Sequence, residues 1–283
     1  MEKPKIGIVT PVYNGEEYIE KTIKSILAQS FKHWEHVIID GKSTDKTVAI
    51  VKKYSESDSR IKLISETDEG MYDALIKALD RINAPICSWI NADDIIMPRA
   101  FELVTHFMIK KNVNWVTGIP AKINKQDMLY ILNIESIPVV SGLHWILMPL
   151  WYPQQLIRAG LFHGRALGWI QQEGTFFKTN LYRKIDRKRL SFIRKQHYAG
   201  DFFLWTEFAK YSRLQTIPSV LAAFRTHQTN LSVNLEEYFN EIKNGGFYIL
   251  PRILARLIWI FFFPFQLISG IINYYKWRKF LKS

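Results

Sequence analysis

Two stretches decide the fold: Ile6-Gly-Ile-Val-Thr-Pro-Val-Tyr-Asn14 and Trp34-Glu-His-Val-Ile-Ile-Asp-Gly-Lys-Ser-Thr-Asp45. Each opens as a short apolar run, the pattern of a buried strand, and closes in polar, turn-forming residues. Between them Glu16–Gln29 places Ile19, Ile23, Ile26 and Leu27 on one helical face. The alternation continues outward. Ser43 or Thr44 offers a cap for a helix reaching about Tyr54, and Ile61–Ser65 reads as a third strand. Met71–Ile82 reads as a helix, Ile86–Ile90 as a strand, Pro98–Lys110 as a helix and Trp115–Ala121 as a fifth strand. Strand–helix alternation with short joins predicts an α/β fold around a doubly wound, mostly parallel sheet. Such sheets bind ligands at the carboxyl ends of their strands.

The remaining composition agrees. With 48% hydrophobic and 23% charged residues, the 283-residue chain is not disordered as a whole. It is long enough to bury a core without disulfide or metal staples. A single cysteine, Cys87, excludes an internal disulfide framework and fits a reducing compartment. The residues after Met1 show no secretory-signal pattern, so none is expected. The net charge of +12 is concentrated in two places. Residues 178–195 hold eight Lys/Arg and one acid, and residues 248–283 hold six and none. Nucleic acid is therefore not the expected partner. Basic charge beside apolar residues at the C-terminus points to anionic lipid instead.

Polar residues gather where the strands end: Thr10–Asn14, Asp40–Asp45, Asp68-Glu-Gly70 with Asp73, and Asn91-Ala-Asp-Asp94. Any one of these could be turn and cap chemistry alone. An Asp or Asn at all four points to a crevice that binds something. Neither G-x-G-x-x-G nor G-x-x-x-x-G-K-[ST] occurs, so bound phosphates need another device. Asp93 and Asp94 suggest one, because paired carboxylates hold Mg²⁺ or Mn²⁺, which bridge substrate phosphates. The competing reading is a helix cap before Pro98.

In their order and spacing, Thr10-Pro-Val-Tyr-Asn14, Ile39–Asp45 and Asn91–Asp94 resemble the signatures of the inverting GT-A glycosyltransferases of family 2. Asp68-Glu-Gly-Met-Tyr-Asp73 resembles a loop of its polysaccharide-assembly members. The resemblance implies a GT-A nucleotide-diphospho-sugar transferase fold, a nucleotide-diphosphate sugar donor and a divalent cation, Mg²⁺ or Mn²⁺. By position it implies Thr10, Pro11, Val12 and Tyr13 near the nucleobase, Asp40 bonded to the base and Asp93 on the ribose. Asp94, beside Asp93, would hold the metal; Asn91 replaces a commoner Asp. Asp68, Gly70 and Asp73 would contact the donor or orient their loop. Asp201, in His197–Phe208, matches the acceptor-side base, or else caps the helix that follows. Glu207 competes with it, but six residues along a helix face another way. Gln172 and Glu173 would contact sugar hydroxyls, and His227 the donor or metal, unless it is a surface residue. The basic cluster Arg183–Lys195 is a solvated loop, a contact to diphosphate lipid or a membrane-facing surface.

This divides the chain into a donor half (1–121), an acceptor and base half (122–247) and a basic, membrane-associating tail (248–283). The expected reaction moves a sugar to a hydroxyl of a saccharide or lipid-linked saccharide in polysaccharide or cell-envelope synthesis. The alternatives are transfer to a polyprenyl phosphate, and a non-catalytic nucleotide-sugar-binding scaffold at the membrane. Residues 121–175, which would set donor and acceptor selectivity, hold no readable motif before Gln171.

Leu257–Tyr275 carries no charge, near the ~20 residues of a membrane span. Pro264 interrupts it, and a span would put Lys276–Lys282 outside a cytosolic enzyme, against the positive-inside tendency. On a helical wheel Arg252, Arg256, Gln266, Ser269, Asn273 and Lys276 share one half, and Phe261, Phe262, Phe265, Leu267, Ile268 and Ile271 lie mostly on the other. The expectation is an apolar helical tail lying on the cytoplasmic face of the membrane. A core-packing helix and a true span are the alternatives.

Overall fold

The computed structural model describes residues 5–131, 152–164, 167–228, 230 and 233–281. The apolar, proline-broken stretch 137–152 lies outside them except for Tyr152. The strands are β1 (Ile6–Val12), β2 (Trp34–Asp40), β3 (Ile61–Ser65), β4 (Ile86–Trp89), β5 (Ile95–Ile96) and β6 (Trp115–Thr117). They continue with β7 (Ala121–Ile123), β8 (Leu129–Ile131), β9 (Phe176–Lys178), β10 (Gln215–Thr216) and β11 (Ala222–Arg225). The helices are α1 (Ile19–Leu27), α2 (Thr47–Ser57), α3 (Met71–Leu79), α4 (Ala100–Lys110), α5 (Gln154–Arg158) and α6 (Thr179–Tyr182). Then come α7 (Arg187–Arg194), α8 (Gly200–Tyr211), α9 (Leu235–Asn244) and α10 (Arg252–Leu281).

The main sheet runs β10-β6-β9-β4-β1-β2-β3. Its pairings are parallel except those of β9, which is antiparallel to both β4 and β6. The mostly parallel α/β fold is therefore present. A smaller sheet, β5-β11-β7-β8, sits beside it.

Successive strand residues face opposite layers. Ile6, Ile8 and Ile38 join α1 and α4 residues such as Ile23 and Phe101 in one core. Val9, Val37, Ile39 and Trp89 join α3 and α8 in the other. Helices thus cover both faces, which is why β1 and β2 are buried throughout.

Several boundaries differ from the sequence reading. Trp115–Ala121 is two strands in two sheets. At Gly118 and Ile119 the backbone N–H groups bond out of register, to the Gly174 and Ser219 carbonyls, and Pro120 has no N–H to give. Helix α2 begins at Thr47, capped by neither Ser43 nor Thr44. Those residues instead bind the first loop: Ser43 Oγ accepts the Asn14 N–H, and the Thr44 N–H donates to Asn14 Oδ1, both at 2.8 Å. Helix α4 starts after Arg99, whose φ of +64° is incompatible with helix, and not at Pro98.

The basic run 183–195 is mostly helix α7, capped by Asp186, which accepts the Lys188 and Arg189 N–H groups. It is tied to the body by Arg189–Glu207 at 2.8 Å and by the pair Arg194–Asp73. Helix α10 continues through Pro264. Ala255 is buried, and Ile258 and Phe262 pack against the core, so Phe262 faces the protein rather than away from it. Among the described residues no helix is long and apolar enough to cross a membrane.

Candidate active site

The loops after β1 and β2 are stitched together before any ligand is considered. Besides the Asn14 contacts, the Gly15 N–H donates to Thr47 Oγ1 at 2.8 Å and the Glu16 N–H to Asp45 Oδ2 at 3.0 Å. Asp40 is fully buried at the end of β2. It accepts the Ser43 N–H at 3.2 Å and the Ser65 hydroxyl at 2.7 Å, so its carboxylate faces its own loops. Thr10 is also buried, with Oγ1 2.9 Å from His36 Nε2. Pro11 and Val12 are buried too, leaving Tyr13, 65% exposed, as the side chain that this stretch presents to solvent.

Asp68 stands over Gly41 and accepts the Gly70 N–H at 2.9 Å. Burial holds its carboxyl above the usual range. Gly70, with φ of +127°, leads into α3 where a side chain would crowd His197. Asp73 is wholly buried. It accepts the Glu69 N–H at 3.0 Å and pairs with Lys77 at 2.8 Å and with Arg194. Its geometry orients the loop and docks α7.

Asn91–Asp94 leaves β4 toward β5. Asp93 keeps partial exposure and takes His227 Nε2 at 2.8 Å and Asn230 Nδ2 at 3.2 Å on Oδ2. Asp94 does not present the exposed carboxylate that the sequence suggests; it is fully buried. Its Oδ1 accepts the Arg225 N–H at 2.7 Å, and its Oδ2 has no hydrogen-bond partner. Burial first, then the charges of Asp93 and Glu173, push its pKa well above the carboxylate range.

Glu173 is buried with Oε2 unpartnered, and burial together with the Asp201 and Asp93 charges pushes its pKa up to about 7. Gln172 donates to the Trp89 carbonyl at 2.8 Å and accepts from Asn91 at 3.2 Å, locking the strand end. Among the described residues no group of three or more His, Cys, Asp and Glu forms a metal cluster. A Mg²⁺ or Mn²⁺ does not require one, since it takes one or two carboxylates and completes its shell with phosphate and water. The unpartnered, buried Asp94 Oδ2 beside Asp93 is a hard-oxygen donor set that fits such an ion.

Asp201 lies in the first turn of α8. It is not the N-cap: that position is Ala199, and no side chain caps it. Three N–H groups ahead of the helix, from His197, Tyr198 and Ala199, instead donate to Glu241 of α9 at 2.7–3.0 Å. Asp201 Oδ1 accepts the Phe202 N–H at 2.7 Å and faces the Tyr72 hydroxyl at 3.4 Å. Burial pushes its pKa up to about 6, against the pull of those two donors. Glu207, the rival base, is buried and paired with Arg189 and Lys210.

One turn after Asp201, Trp205 stacks on Trp89 with ring centroids 5.1 Å apart. Helix α8 thereby packs directly on β4, the strand that leads to Asn91. Arg225, a fully buried cation, gives a second tie. Its Nε donates to the Asp93 carbonyl at 2.6 Å and its Nη1 to the Asn124 carbonyl and Asp127. A cavity of about 580 Å³ opens beside it, lined by Asn124, Lys125, Gln126, Thr226, His227 and Gln228. Tyr72, Arg225, Asn230 and Glu241 were not singled out by the sequence. Only Arg225 leaves a trace there, as a lone charge in the strand Ala222-Ala-Phe-Arg225.

The family model for glycosyl transferase family 2 matches residues 7–170, more than half of the chain. The chain belongs to that family. It is a glycosyltransferase, and its fold is of GT-A type. A glycosyltransferase of Rickettsia typhi, RT0329, is 26% identical over 286 residues, covering 99% of this chain and 82% of its own. Escherichia coli WfgD, a UDP-Glc:α-D-GlcNAc-diphosphoundecaprenol β-1,3-glucosyltransferase, is 31% identical over 46% of this chain and 51% of its own. The crystal structure of Staphylococcus aureus TarS 1–349 with UDP-GlcNAc superposes with a TM-score of 0.60 at 16% identity. It covers 90% of this chain and 70% of TarS 1–349. At that identity the likeness speaks for the fold.

Proposed function

We propose that this glycosyltransferase moves a sugar from a nucleoside-diphosphate sugar, with inversion, to a hydroxyl of a saccharide or lipid-linked saccharide in cell-envelope polysaccharide synthesis. The observation that carries the reading is Asp201: a partly exposed carboxylate with pKa raised to about 6, on a helix packed by Trp205 against the donor-side strand. In a single displacement Asp201 takes the acceptor hydroxyl proton as that oxygen bonds to the anomeric carbon. The bond from that carbon to the diphosphate oxygen breaks on the opposite face, and the nucleoside diphosphate leaves. A base with a pKa near 6 is mostly ionised at neutral pH and still accepts a proton.

Asp94, with Asp93, would hold Mg²⁺ or Mn²⁺, which when bound offsets charge on the leaving diphosphate. Tyr13 offers a flat face for a nucleobase, and Asp40, through Ser43, fixes the loop beside it. His227 and Asn230 set the orientation of Asp93, the proposed ribose contact. The activity of WfgD supports a lipid-diphosphate acceptor. The UDP-Glc donor of WfgD supports a uridine nucleotide.

The test is a panel of UDP-, GDP- and dTDP-sugars with Mn²⁺, first by thermal shift and then with cell-derived lipid acceptor. Donor-stabilised protein that releases nucleoside diphosphate only with acceptor, and forms a product of inverted anomeric configuration by NMR, supports the reading. Retention of configuration would overturn it. Binding without turnover on any acceptor would favour the scaffold alternative, and transfer to polyprenyl phosphate alone would reassign the acceptor.

A further inference from the structure

Helix α10 leaves an apolar stripe uncovered. Ile253, Leu257, Phe261, Phe265, Ile268 and Tyr275 are each between 49% and 77% exposed. At ~100° per residue they fall within an arc of about 120°, and from Ile253 to Tyr275 the stripe runs ~33 Å along the helix. The buried Ala255 and the core-packed Phe262 lie on the other side, so the helix is docked on the protein by one face and presents the other outward. Monomeric soluble proteins rarely expose a continuous apolar surface of this extent.

We propose that this face of α10 lies on an anionic lipid surface, parallel to it, and seats the glycosyltransferase on the membrane without crossing it. Three observations choose lipid over a second copy of the chain. Residues 248–283 contain six Lys/Arg and no acid, with Arg252 and Arg256 before the uncharged stretch and Lys276, Arg278, Lys279 and Lys282 after it. That arrangement complements anionic headgroups at both ends. The stripe is broad and rich in aromatic rings, whereas a helix pair buries a narrower seam. Pro264, itself exposed, sits in the middle of the stripe, where a continuous helix–helix seam would have to accommodate a missing backbone donor. An interfacial helix tolerates this, because headgroup water can meet the freed carbonyl. The inference stands apart from the choice of acceptor, since lipid binding is measured without turnover.

The experiment uses the full chain and two vesicle types, phosphatidylcholine alone and phosphatidylcholine with phosphatidylglycerol. The protein is expected to float with the anionic vesicles, at least ~10-fold more tightly than with the neutral ones, and to be partly released by high salt. The double variant Phe261→Asp/Phe265→Asp should weaken that binding at least ~10-fold while keeping donor-induced thermal stabilisation. A gentler variant guards against misfolding. Phe265→Cys carries an environment-sensitive fluorophore, the native Cys87 being buried with its thiol pushed up to about 12 and so unreactive. Its emission should shift to the blue on anionic vesicles, and the same probe on Lys110→Cys, at the exposed end of α4, should not move. Absence of flotation with anionic vesicles at low salt would overturn the proposal. So would a stable dimer, dissociated by Phe261→Asp and indifferent to vesicles, which would show that a second copy covers the stripe.

Discussion

The Tyr72 hydroxyl stands 3.4 Å from Asp201 Oδ1 and 3.4 Å from the Tyr198 carbonyl, bridging α3 to the start of α8. Gly200 makes room for the ring: a Cβ there would lie 2.4 Å from it. The hydroxyl helps to keep Asp201 ionised. Tyr72→Phe should therefore move the acid limb of the rate profile to higher pH. The expected loss is ~3-fold near pH 6 and little at pH 8, because a long hydrogen bond to a charged group is worth only a modest energy. The pH dependence of kcat/KM checks this, and an equal loss at every pH would assign Tyr72 to packing alone.

Asp201 itself gives two pH statements of known sign. As the base it must be ionised, so turnover should rise as pH increases through about 6. As a partly buried carboxyl, its folded pKa lies above the unfolded value of roughly 3.9, so the fold binds its proton more tightly. Its contribution to stability is fully present below about pH 4 and is lost as pH rises through about 6. Asp201→Asn keeps the acceptor for the Phe202 N–H and removes the charge. It should lower turnover ~10²-fold or more, leave donor affinity near wild type, and raise the melting temperature at pH 8 but not at pH 4. A collapse of donor binding would mark Asp201 as a donor ligand instead.

The sequence shows β1 and β2 plainly because both are buried on two faces and so read as unbroken apolar runs. It misplaces the Ser43–Thr44 cap because those groups are taken by Asn14, about thirty positions away, and local pattern reading does not see such a competitor. The same limit hides Glu241: an acid on the amphipathic helix α9 looks like a solvated residue, yet it caps the segment before α8. The acidic strand ends are legible as a group, but their division of labour is not. Asp45 and Asp73 hold loops together, Asp93 keeps an exposed edge, and Asp94 is buried; only the packing of β11 and α7 separates them. At the C-terminus the sequence shows a helical stretch but not its bounds, Arg252–Leu281, and its wheel is misread at Phe262, whose side the docked domain decides.

Asp94→Asn tests the cation. In the proposed cation site the buried, unpartnered Asp94 Oδ2 would be the ligand, and the amide would replace a carboxyl that can give up its proton to a cation with a group that cannot. Donor stabilisation in Mn²⁺ should fall to the level seen in EDTA, and turnover should be abolished. The fold should hold, because Asn can still accept the Arg225 N–H through Oδ1. Thermal shift with and without Mn²⁺, and nucleoside-diphosphate release, measure both effects. Undiminished wild-type activity in EDTA would remove the metal from the site.

Arg225 should prove the most sensitive position outside the crevice. Its guanidinium lies fully buried over the Tyr18 ring, 5.1 Å from the centroid, and donates to the Asp93 and Asn124 carbonyls and to Asp127. Arg225→Met keeps the apolar stem but leaves the buried Asp93 carbonyl without its donor and the Asn124 carbonyl with the Asp127 N–H alone, so it should cost about 1–3 kcal/mol of stability. Arg225→Lys retains the charge and loses the planar fork, so a compact ammonium can meet one of the three acceptors well but not all. It should fall between wild type and Arg225→Met in urea unfolding. Because Asp93 and the β7–β8 turn are held by the same group, both variants should also weaken donor binding, and in the same order. A wild-type urea midpoint for Arg225→Met would show that the strand holds the loop without the guanidinium.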